Sequence, residues 1–157
     1  MALIQTTLAD ELRSLAPTAL EADAITTLTD AYANYAADAT ANSVALSPAG
    51  VLLGKAAMAS ALVGMSAAGA GIAAIPAAIK AFWVAVAGGL ATSFAGATAI
   101  VPPPHASLSS AFATLMPTNT AGEVTADQAA DSMALIMHAD AILGGTVTFG
   151  IPTFPIV

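Results

Sequence analysis

Two long stretches of this chain carry no charge at all, residues 56–79 and residues 81–122. Between Asp38 and Glu123 the only charged side chains are Lys55 and Lys80. The remaining charges lie at the two ends. Asp10, Glu11, Arg13, Glu21, Asp23, Asp30 and Asp38 fall in the first quarter, and Glu123, Asp127, Asp131 and Asp140 in the last. A soluble domain ordinarily shows water a mixed charged surface, with about 25% of its residues charged. Here the figure is 8%. Most of the middle must therefore be covered by copies of the same chain, by other proteins or by lipid.

The same arithmetic removes several functions. Ten acids against three bases leave a net charge of −7, so the chain cannot neutralise a phosphate backbone and nucleic-acid binding is excluded. Without cysteine there is no disulfide scaffold, thiolate zinc site or thiol nucleophile. A composition that is 57% hydrophobic is too apolar for a disordered chain. A length of 157 residues suits one domain. The opening Met1-Ala-Leu-Ile-Gln-Thr-Thr-Leu reaches two acids before any base, so no signal peptide is expected.

Apolar spacing predicts a mainly α fold of about five helices in a compact bundle. Leu8, Leu12 and Leu15 form a stripe over residues 2–15. A second helix is expected over 18–41, opened by a Thr18/Glu21 capping box. Ser47-Pro48 suits the start of a third, over 48–75. Pro76 reads as a boundary or kink, with helix continuing over 77–99 and weakened at Gly88-Gly89. Pro102-Pro103-Pro104 is an extended spacer. A short helix over 106–115 and a polar loop over 116–124 follow. Thr125 with Gln128 caps a last helix that Gly144-Gly145 stops. The helical domain is thus 1–145. Residues 146–157 are β-prone and broken by prolines, which predicts an extended C-terminal arm with room for a short edge strand.

Residues 51–75 and 77–101 are each long enough to span a bilayer, which makes a helical hairpin of a holin-like or pore-forming membrane protein the alternative. Composition favours protein contact instead. Ala, Gly, Ser and Thr contribute little to insertion, and Phe82 and Trp83 sit together at one level where a span shows aromatic belts at two. Small residues let helix backbones approach closely. Ala67, Ala70, Ala74 and Ala78, followed by Phe82 and Trp83, form such a strip, and Gly50-x-x-x-Gly54 adds a lone GxxxG. These residues, with Phe149, Ile151, Phe154 and Ile156 of the arm, are the expected assembly contacts.

The reactive inventory is thin. His138, near the end of the last helix, is explained by the helix dipole, which favours a cation there. His105 reads as a loop residue packed on its prolines. Asp127 and Asp131 share a helix face, but there is no HxxxH or HExxH pattern, no GxSxG elbow and no phosphate-binding glycine loop. The six methionines suit adaptable packing. No catalytic, metal or cofactor-binding residue is assigned, no cofactor is expected, and the chain reads as a non-enzyme.

Ala81-Phe-Trp-Val, Val101-Pro-Pro-Pro-His, Thr125-Ala-Asp-Gln-Ala-Ala-Asp, His138-Ala-Asp and Thr146-Val-Thr-Phe with its proline-broken tail give residues 77–157 a layout that resembles small, alanine-rich virion proteins of tailed phages and related contractile particles. The resemblance implies a non-enzymatic structural subunit repeated in a particle and interlocked with its neighbours through the arm. Its partners would be copies of itself and other particle proteins, and its location the virion or particle.

Overall fold

The computed structural model describes residues 3–15, 20–65, 70–120 and 125–157. Among them the protein is mainly helical, with six α-helices and a few short strands. The helices are α1 (Gln5–Leu12), α2 (Glu21–Ala37), α3 (Pro48–Ala61), α4 (Ala70–Gly89), α5 (Leu108–Thr120) and α6 (Ala126–Ala141). Six replaces about five because the piece after the prolines, expected to be short, runs for 13 residues through Pro117.

Caps decide two of the boundaries. Ser47 Oγ accepts from Gly50 N at 3.0 Å, with Pro48 in the first turn of α3. Thr125 and Gln128 close a reciprocal capping box at α6. At α2 the expected box rests on Thr18, which lies outside the described residues; the described helix begins at Glu21 after Leu20, and the Glu21 carboxylate accepts from Gly64 N at 2.5 Å. The expected third helix also ends early, at Ala61. Pro76 is then no boundary. It sits inside α4, where it removes one helical hydrogen bond without ending the run.

The strands are short. β1 (Thr40–Ala41) and β2 (Val44–Ala45) form a hairpin across Asn42-Ser43. Both turn residues have positive φ, 50° and 63°, as a type I′ turn requires. β3 (Ala99–Val101), β4 (Thr146–Thr148) and β5 (Thr153–Pro155) make an antiparallel sheet in that order, with Ile100 opposite Val147 and Val147 opposite Phe154. The tail expected to be an extended arm is therefore a hairpin of the chain's own sheet. Its last residue is tied down as well: Val157 and Thr40 exchange two backbone hydrogen bonds, at 2.9 and 3.0 Å. Val147 and Ile156 are fully buried, and burying them on the subunit that carries them outweighs leaving an apolar tail in water.

The core centres on α4. Trp83, Phe82, Tyr32 and Tyr35 are among its largest fully buried side chains, joined by Phe94 and Phe112. α3 packs against α4 at glycine distance. A Cβ on Gly54 would stand 2.6 Å from the Phe82 ring, and one on Gly50 2.8 Å from Ser93 Cα. Gly88, inside α4, has nothing within 4 Å of its Cβ position. Both Gly54 and Gly88 lose helix stability relative to alanine, so substitution separates propensity from packing. Gly88→Ala should raise the unfolding free energy by about 0.5–1 kcal/mol. Gly54→Ala should lower it by about 1–3 kcal/mol through overfilling. Denaturant melts of the two variants check this, and shifts of the same sign would remove the close approach from the account.

Candidate functional site

The expected assembly contacts divide into two groups. Ala78, Phe82, Trp83 and Ile156 are fully buried inside the chain, so these four are core residues and are corrected from the surface role assigned to them. The reason lies in the ring contacts. Phe82 meets Trp83 with centroids 5.5 Å apart and Tyr32 at 5.2 Å, both edge-to-face, and the Trp83 Nε1–H donates to the Tyr32 hydroxyl at 2.8 Å. Ala74 is half-buried against the same core. Ala70 is the first residue of α4, and Ala67 lies outside the described residues. On the hairpin, Phe149 and Phe154 are half-buried with ring centroids 6.1 Å apart. Ile151 stands at the tip, 96% exposed.

That tip is held rigidly for a turn. Gly150 takes positive φ, 72°, Phe149 N donates to Pro152 O at 3.0 Å, and the hydroxyls of Thr148 and Thr153 meet at 2.9 Å. Gly150 N also donates to Thr98 Oγ1 at 3.1 Å. Other exposed large apolar residues are Leu52 and Leu53 on α3, Val84 on α4 and Leu90 just after α4. Leu53 reaches over Gly89, 3.0 Å from the place a Cβ would occupy.

The acidic helices carry the ion pairs. Arg13 binds Asp10 and, across to α6, Asp131 at 2.5 Å. Lys55 pairs with Asp30. These pairs are exposed and contribute little stability. Lys80 has no acid partner among the described residues.

The histidines do more than their sequence positions suggest. His105 Nδ1 is bonded to the Asp140 carboxylate, and both side chains are only 5% exposed. Sequence reasoning left His105 in a loop and treated Asp140 as one of the terminal acids. The available signal is Asp140 itself, a carboxylate next to last in α6 among Ala139, Ala141, Ile142 and Leu143. There it opposes the helix dipole and needs a partner. His138 meets the Tyr35 hydroxyl through Nδ1 at 2.8 Å. Burial, then the nearby Asp140 charge, pushes the Tyr35 pKa well above its ordinary value. Tyr35 therefore keeps its proton, and its hydroxyl donates to His138 Nδ1 in the tautomer that leaves that nitrogen unprotonated. Burial lowers the His138 pKa, outweighing the dipole that would hold a cation there. Tyr32 is likewise raised, by burial first and then by the neighbouring Tyr35. No cluster of three metal-ligating side chains occurs among the described residues.

No family model matches the chain, and no curated protein and no solved structure matches it.

A lowered histidine pKa sets the sign of a pH effect. The unfolded chain takes up the His138 proton near pH 6.5, while the folded chain resists it, so stability falls as pH drops below about 6.5. Thermal unfolding between pH 7.5 and 5.5 should show that fall, and His138→Gln should flatten it. An equal slope in the variant would show that His138 does not set it.

Proposed function

We propose that the protein is a non-enzymatic structural subunit of a large protein assembly, a component of a virion or tail-like particle, built as a compact helical bundle. One observation carries the reading. After the chain has buried Phe82, Trp83 and Ile156 within itself, its uncharged middle still leaves Leu52, Leu53, Val84 and Leu90 exposed, and its hairpin still presents Ile151 at 96% exposure. Single exposed apolar residues are ordinary. A hydrogen-bonded hairpin tip and exposed leucine and valine side chains, with only Lys55 and Lys80 as charges on their helices, are the kind of surface a neighbouring subunit would cover. The hairpin takes the part first given to an extended arm. It would seat Ile151 in a neighbour as a knob, while β4 and β5 stay in their own sheet. The acids of α1 and α2 would face water and keep the assembly soluble.

The alternative is a small membrane protein. One observation favours it: Ala73–Thr92 is long and apolar enough to cross a bilayer, with 39% of its most apolar window buried in the fold. Its intended partner is weaker, since α3 runs for only 14 residues against the roughly 20 a span needs.

Size-exclusion chromatography with light scattering, in buffer without detergent, tests the proposal. The wild type should elute as a defined oligomer or a large particle. Ile151→Asp and Leu52→Asp should reduce that mass while leaving circular dichroism and melting unchanged, because both side chains are already in water. A monomeric wild type, or one recovered only with detergent, would overturn the reading. Deleting residues 146–157 is a poor substitute, because it removes two strands and the buried Val147 and Ile156.

A further inference from the structure

Three oxidisable aromatic side chains are buried together. Tyr32 and Tyr35 have ring centroids 5.7 Å apart, and the Trp83 indole N–H donates to the Tyr32 hydroxyl at 2.8 Å. All three are shut away from water. A phenol or indole that loses an electron becomes a strong acid. At the surface its proton passes to water. In a core the proton can leave only to a base already bonded to it, because a buried charge without a partner is strongly unfavourable. The three side chains differ in this respect. The Trp83 N–H points at a neutral hydroxyl, and the Tyr32 hydroxyl donates to no base among the described residues. Tyr35 does have a base: its hydroxyl stands 2.8 Å from His138 Nδ1. His138 is half-buried on α6 and neutral at pH 7, since burial lowers its pKa from the ordinary 6.5. Burial and the Asp140 charge hold the Tyr35 hydroxyl protonated, so its electron and its proton have to leave together.

We propose that Tyr35 is a reversible one-electron site, oxidised to a neutral tyrosyl radical by an outer-sphere oxidant while its hydroxyl proton passes to His138 Nδ1. The oxidant takes one electron from the phenol. The O–H bond breaks and the Nδ1–H bond forms. The products are the radical, the imidazolium and the reduced oxidant. One electron from an external reductant reverses the step, and the imidazolium returns the proton. A hole that arrives first on Trp83 or Tyr32 settles at Tyr35, where the proton has somewhere to go, and the contacts among the three side chains are its path. Asp140, whose charge reaches Tyr35, favours the cation that forms on His138 beside it. The net charge of −7 draws a cationic oxidant to the chain. The site lies within one chain and does not rest on the assembly reading.

Tris-bipyridyl ruthenium(III), generated by a laser flash with a sacrificial electron acceptor present, is the oxidant for the test. The radical is read by its near-ultraviolet absorption and its electron paramagnetic resonance signal. The wild type should give a tyrosyl radical, and it should form more slowly in deuterium oxide because a proton moves in the same step. That comparison needs no variant, so it stands whether or not a substitution disturbs the core. His138→Gln should slow radical formation about 100-fold, the lower end of what a positioned base contributes. Tyr35→Phe should abolish the tyrosyl signal although Trp83 remains. The chain has two tyrosines, so a tyrosyl signal surviving in Tyr35→Phe would belong to Tyr32. Circular dichroism checks that both variants are folded. No tyrosyl radical in the wild type, the same rate in deuterium oxide, an unchanged rate in His138→Gln, or a surviving signal in Tyr35→Phe would each overturn the proposal.

Discussion

The edge-to-face contact of Phe82 with Trp83 on α4 is the interaction around which the rest of the chain arranges itself. Two adjacent residues on a helix point to different sides, so burying both forces α4 to be covered on more than one flank. α3 covers the Phe82 side, and it can do so only because Gly54 brings no side chain to the ring. At Trp83 the indole N–H dictates what stands beside it, since a buried donor needs an acceptor. Tyr32 supplies it at 2.8 Å. A chain with 42 alanines among 157 residues has few large groups from which to build a core. Packing them in contact and laying glycine and alanine backbones closely over them is how such a sequence reaches interior density.

The polar groups that enter this interior are few and tightly matched. Tyr35 and His138 meet each other, and Asp140 holds His105. Each pairing crosses between distant segments: Tyr35 lies on α2 and His138 on α6, His105 precedes α5 and Asp140 ends α6. An unpaired member would be costly in a low-dielectric setting. The pairs therefore fix how α6 sits against α2 and against the proline segment more sharply than alanine packing alone could. His105 Nε2 stands outside this matching, without a hydrogen-bond partner among the described residues.

Much of the fold was legible in the sequence. Ser47 with Pro48 and Thr125 with Gln128 announce helix starts through hydrogen bonds made within three residues, and both are present. Local signals failed where the outcome depended on distant residues. Pro76 reads as a boundary or kink, but α4 runs across it in close packing with α3. The tail reads as an extended arm that docks on a neighbour, because its prolines forbid a central strand. Its pairing with β3, some fifty residues upstream, could not be read from the tail itself. Gly54 of the Gly50–Gly54 motif does sit at a close helix contact, but periodicity does not say whose helix is the partner. It proved to be the neighbouring helix of the same chain. The His105–Asp140 pair was invisible for the same reason, apart from the oddity of a carboxylate in an apolar helix end.

The centre of the account is that Phe82 and Trp83 belong to the chain's own core, which leaves other surfaces for the neighbours we propose. Trp83 is the only tryptophan, so its fluorescence reports on that core alone. The decisive measurement is the emission maximum of Trp83 and its quenching by iodide, followed as the protein is diluted from its assembled to its dissociated form. A tryptophan inside the subunit should keep a blue-shifted, poorly quenched emission throughout. A red shift with rising quenching on dissociation would place Trp83 between subunits and contradict the account.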